Sequence, residues 1–131
     1  MNACDAFRGA VERGDLGGMI DAFSDEAVLH SPVSFRPFAG RKAIGGLLYV
    51  LMEVFTDFRY TDELVSDDGT TALVFRARIG DRDVEGIDLL RFEDGGQIRE
   101  LTVMVRPLSA LEALRDAVGP RLQSLGSGAD H

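Results

Sequence analysis

One acid stands where the sequence pattern asks for an apolar side chain. In RDVEGIDLLRF, residues 82–92, strand alternation puts Val84, Gly86, Asp88, Leu90 and Phe92 on one face, and Asp83, Glu85, Ile87, Leu89 and Arg91 on the other. Asp88 therefore shares an otherwise apolar face. Burying an ionised, unpartnered carboxylate is very costly, so the group must be paired or protonated. Two readings follow. Asp88 is a structural acid satisfied by a neighbouring backbone group or arginine, or it is a neutral acid able to donate a hydrogen bond to a carbonyl or developing enolate oxygen. A second set of reactive side chains ends the stretch AVLHSPV, residues 27–33, where His30 and Ser31 precede the turn at Pro32. The ordinary imidazole pKa of about 6.5 suits His30 to proton transfer. An Asp88–His30 pair across a cavity would make an acid–base device. Alternation points His30 away from the face of Ser31, unless a bulge before Pro32 reverses it.

The elements that must position these residues are legible in the periodicity. Residues 3–13 place Phe7, Ala10 and Val11 on one helical face. GDLGG breaks the chain, and Asp15 is the expected N-cap of a short second helix through Phe23. DEAVLHSPV reads as a first strand and SFRPFAG as a loop. Ile44, Leu47, Leu48, Leu51, Met52 and Phe55 follow helical spacing over residues 41–56. Gly45 and Gly46 weaken that helix, so close packing against another element is their expected use. Four strands follow, FRYTDELVSD, TTALVFRARIG, RDVEGIDLLRF and QIRELTVMVR, separated by the turns SDDGT, GDRD and EDGG. LSALEALRDAVG is a last helix with Ser109 and Glu112 at capping-box spacing, expected to stop at Gly119-Pro120. The pattern predicts a single domain over 1–124 and a flexible tail over 125–131. Helices gathered on one face of a curved antiparallel sheet make an α+β cone with an interior.

Composition narrows the function classes. The 131 residues are 45% hydrophobic and 27% charged, with a net charge of −8. No basic stripe is present to neutralise phosphates, and an acidic surface disfavours anionic membranes, so neither nucleic acid nor membrane is an expected partner. One cysteine, Cys4, permits no internal disulfide and no cysteine-based metal site. No cofactor is expected. MNACDAFRGAVERGD carries acids and arginines too early for a signal peptide, and LLYVLMEVF is too short to span a bilayer, so a cytoplasmic location is expected.

The chain resembles the NTF2-like superfamily of cone-shaped α+β folds, in particular its branch of SnoaL-like proteins and ketosteroid isomerase. The resemblance rests on GDLGGMIDAF, AVLHSPV, Pro37 and G-x-x-AI, which run without gaps from Phe7 to about Leu48, and on GIDLLRF and GQIREL. It implies that Asp88 takes the place of the isomerase's oxyanion-stabilising acid. The oxyanion tyrosine falls on Phe7, the general base on Ser31, and the supporting helix tyrosine on Leu48. The resemblance thus implies the acid of that mechanism without its base or its tyrosine. It also implies a pocket lined by Phe7, Leu48, Leu90, Phe92, Leu101 and Val103. No lysine or arginine is among them, so desolvation should raise the pKa of Asp88. Ile87, Leu89, Thr102 and Met104 fall on the outer sheet face, which the superfamily commonly covers by pairing two copies.

Two functional expectations result. One is a SnoaL-like isomerase, hydratase or cyclase acting on a small apolar, carbonyl-containing molecule, with Asp88 as the acid and His30 or Ser31 assisting. The other is a noncatalytic ligand-binding or dimeric interaction module with the same pocket. A protein-interaction domain like the nuclear transport factors is the weakest reading, since no partner-binding surface is visible in the sequence.

Overall fold

The computed structural model describes residues 3–124, so the expected tail at 125–131 lies outside the described residues. Helix α1, Ala3–Arg13, turns Cys4, Phe7 and Ala10 inward. Its end is a Schellman closure: Gly14 N–H donates to Val11 at 3.1 Å and Asp15 N–H to Ala10 at 2.8 Å. Gly14 adopts φ +68°, which a residue with a side chain takes only with strain. Asp15 then caps α2, Leu16–Asp21, by accepting from Gly18 N–H at 3.0 Å. That helix stops before Phe23 because Phe23 opens strand β1, Phe23–His30, and packs edge-on against Phe7 with ring centroids 5.6 Å apart. The expected loop contains a two-residue strand, β2, Phe38–Ala39.

Helix α3, Gly40–Val54, buries Ile44, Leu47 and Leu48 of the expected stripe, whereas Leu51 is half-buried, Met52 is exposed and Phe55 is the half-buried residue that ends the helix. A β-carbon at Gly45 would lie 2.8 Å from Cδ1 of Ile20, so the glycine lets α2 close onto α3. Strands β3, Thr56–Val65, β4, Thr71–Ile79, β5, Arg82–Phe92, and β6, Ile98–Arg106, form a meander. The curved sheet runs β2-β1-β6-β5-β4-β3 with the helices across its concave face. One pairing departs from the expected antiparallel sheet. β1 lies parallel to β6, His30 opposite Thr102, because the intervening α3 and meander supply the long crossover a parallel pair requires.

Helix α4, Leu108–Ser124, starts with Leu111 N–H donating to the Pro107 carbonyl at 3.0 Å, which leaves Ser109 inside the helix rather than capping it. It also runs through Gly119-Pro120 instead of stopping there. Ala110, Leu114, Val118 and Leu122 recur every four residues and are all buried, so the last turn is held by packing despite the proline. Arg121 donates to the Ala117 carbonyl at 2.7 Å in that turn. Among the described residues no helix is long and apolar enough to cross a membrane. On the convex face Ile87, Leu89 and Thr102 are half-buried and Met104 is 48% exposed.

Candidate functional site

The β5 register places Asp88 opposite Leu73 of β4 and Val103 of β6, with its side chain on the concave face. Helices close over this face, and the space left is a cavity of about 190 Å³. Phe7 and Val11 enter it from α1, Leu48, Leu51 and Met52 from α3, and Leu101 and Val103 from β6. The remaining wall is aromatic. Phe58 stacks on Phe75 with centroids 4.8 Å apart, and Tyr60 meets Phe58 edge-on at 5.1 Å.

Tyr60 and Asp88 carry the polar side-chain atoms of this wall among the described residues. The Tyr60 hydroxyl donates to Oδ2 of Asp88 at 2.8 Å, and Asp88 is only 7% exposed. Burial pushes the Asp88 carboxyl from 3.8 up to about 7, while the Tyr60 hydrogen bond opposes that rise. Burial, followed by the charge and hydrogen bond of Asp88, holds the Tyr60 hydroxyl well above its ordinary value. Below about pH 7 both groups therefore keep their protons, and Asp88 ionises around that value. Tyr60 is the hydrogen-bond partner of the Asp88 carboxyl among the described residues, and no fully buried side-chain oxygen there lacks a partner. The second oxygen of Asp88 accordingly opens onto the cavity.

The back of Tyr60 is held too. The Arg8 guanidinium lies 5.6 Å from its ring centroid and donates to Glu63 at 3.0 Å, tying α1 to β3. Cys4 is buried, and burial, reinforced by nearby carboxylates, pushes its thiol up to about 11, so it stays protonated. Among the described residues no group of three histidine, cysteine, aspartate or glutamate side chains is placed to hold a metal ion.

The other sequence candidates are placed differently. His30 Nε2 lies 2.7 Å from Glu100 Oε2, on the convex side, where Arg91 also approaches Glu100 at 3.6 Å. No bulge turns it inward, so it does not share a cavity with Asp88. Ser31 lines a separate recess with Pro32 and Val33, and its Oγ accepts from Val33 N–H at 3.1 Å. Leu51, Phe55 and Val103 form a wall common to both recesses. Leu90 and Phe92 are absent from the cavity wall. They share the face of Asp88, but Leu90 is sealed in the core opposite Leu101, and Phe92 lies at the strand end opposite Ile98. Alternation identifies the face, not how far along a strand a cavity extends. Tyr60 was missed by sequence reasoning. The signal was available in FRYTD, where a hydroxyl-bearing ring alternates inward beside Phe58, much as Asp88 stands among apolar neighbours.

A SnoaL-like domain family model matches residues 4–101. No curated protein matches the chain significantly. Among solved structures, one described as a steroid delta-isomerase from Pseudomonas aeruginosa is 38% identical with a TM-score of 0.89, the match covering 96% of this chain and 93% of that one. An uncharacterised protein with a cystatin-like fold from Silicibacter pomeroyi is 26% identical with a TM-score of 0.87, covering 93% and 86%. The epoxide hydrolase/cyclase-like enzyme SalBIII, described for pyran ring formation in salinomycin, shares the fold at 18% identity and a TM-score of 0.68, covering 81% and 89%.

Proposed function

Since the chain belongs to the SnoaL-like domain family, we propose that it is a small-molecule pocket protein whose ligand is a mostly apolar compound bearing one carbonyl or enolic oxygen. The observation that carries this reading is the one buried acid among the described residues, paired with one tyrosine, in an otherwise apolar cavity. With Oδ2 taken by Tyr60, the neutral acid has its other oxygen free to donate to the ligand. Such a hydrogen bond in a dry site is stronger than the same bond in water. An engineered apolar cavity of about 150 Å³ holds benzene. The somewhat larger cavity here suits a ligand of one or two rings.

Similarity to a protein described as a steroid delta-isomerase makes steroid isomerisation the reaction to assay. That reaction needs a base to take a proton from carbon. With Asp88 acting as donor, no other carboxylate or imidazole lines the cavity among the described residues. The expected outcome is binding without turnover by the protein's own groups.

The test is a titration of acetophenone and of ethylbenzene, its near match in shape, against the native chain and Asp88→Leu. Removing the donor should weaken the ketone about tenfold and the hydrocarbon little. Ketone affinity should be level below about pH 7 and fall above it as the acid ionises. Equal losses for the two ligands would reduce Asp88 to a structural residue. We also propose that a second copy of the chain covers the convex face through Ile87, Leu89, Thr102 and Met104.

A further inference from the structure

The burial of the wall residues gives the cavity a direction. Asp88, Tyr60, Phe7 and Leu101 lie at its closed end, whereas Gly14 is exposed and Met52 is 38% exposed. Gly14 belongs to the Schellman turn that ends α1, so its backbone is held and presents no side chain. A β-carbon at that position would lie 4.0 Å from Cε of Met52. The mouth is thus a fixed backbone with the flexible Met52 thioether lying across it, and a ligand tail passes by displacing that side chain. On the alternative way out, the one towards Ser31, the residues Leu51, Phe55 and Val103 line both recesses, and the recess beyond has a volume of only about 10 Å³.

From this geometry we propose that Met52 is a specificity-determining residue: the ligand's oxygen lies at Asp88, its apolar tail leaves between Gly14 and Met52, and the Met52 side chain limits the width of that tail. This inference rests on the Asp88 reading above. In this arrangement Met52 acts on the far end of the ligand alone.

The experiment compares acetophenone with para-hexylacetophenone and para-cyclohexylacetophenone by titration. Native protein should bind the hexyl compound more tightly than the parent, because the first methylenes lie against the wall. Met52→Trp should weaken the hexyl compound at least about tenfold more than it weakens acetophenone. Met52→Ala should selectively improve the wider cyclohexyl compound. The inference is overturned if Met52→Trp weakens short and long ligands alike or neither, or if Met52→Ala fails to favour the wide tail. It is also overturned if Ser31→Leu, which fills the second recess, weakens the long ligand selectively. If acetophenone binds and depends on Asp88 while the Met52 variants do not discriminate, this inference falls alone. If acetophenone does not bind, or binds equally to Asp88→Leu, the underlying reading falls with it.

Discussion

Two polar pairs stand back to back on one sheet. Asp88, opposite Val103, reaches Tyr60 on the concave side at 2.8 Å, while His30, opposite Thr102, meets Glu100 on the convex side at 2.7 Å. The distances are nearly equal and the strands are neighbours. What differs is the medium. The inner pair is sealed among apolar and aromatic groups, so neither member can be ionised without losing hydration. The outer pair is about one-third exposed, so water and salt compete for it. Residue type and distance alone therefore do not identify a site, and the side of the sheet decides what a polar pair can do.

The largest expected effect is a pH dependence from the inner pair. Below about 3.8 Asp88 is protonated in the folded and unfolded chains alike. Between there and about 7 the unfolded chain loses the proton while the folded chain retains it. The contribution of Asp88 to stability should therefore fall as pH rises through this window and level off above it. The loss amounts to about 4 kcal/mol at about 1.4 kcal/mol per pH unit. Urea denaturation of the native chain and Asp88→Asn across the window checks this. An unchanged slope in the variant would place the titration elsewhere and erase the contrast between the pairs.

Tyr60→Phe sharpens the comparison at a smaller scale. It removes the hydrogen bond that lowers the Asp88 pKa, so the titration should move above about 7. The stability cost should be about 1 kcal/mol in mildly acidic solution, where the acceptor is neutral, and rise towards about 2–3 kcal/mol once Asp88 is ionised. A cost independent of pH would mean that the ring, rather than the hydroxyl, does the holding.

The smallest effect belongs to the outer pair. His30→Ala should cost no more than about 1 kcal/mol, because the pair is partly exposed. The second copy on the convex face is proposed through Ile87, Leu89, Thr102 and Met104 rather than through this pair. Sedimentation of the native chain and of a Leu89→Glu, Met104→Glu double variant tests that arrangement. A shift of the variant towards monomer is expected, and a native chain already monomeric at micromolar concentration would refute it.

Local periodicity determined much of this protein. The face of Asp88, the buried positions of α3 and the meander are readable from neighbouring residues, because side-chain direction repeats every two residues in a strand and about every 3.6 in a helix; the Asp15 cap follows from residue type and the SnoaL-like resemblance from its motifs. Tertiary structure decided the rest. Tyr60 meets Asp88 only because β4 sets β3 beside β5, with Tyr60 opposite Phe75 and Phe75 opposite Gly86. The parallel pairing of β1 with β6 carries His30 to Glu100 on the convex side. Leu90 and Phe92 share the face of Asp88 but lie beyond the reach of the cavity, and Leu122 draws α4 past a proline that local rules read as a stop. Each outcome depends on which distant segments lie side by side, and that is settled by packing the whole core at once rather than by any short stretch of chain.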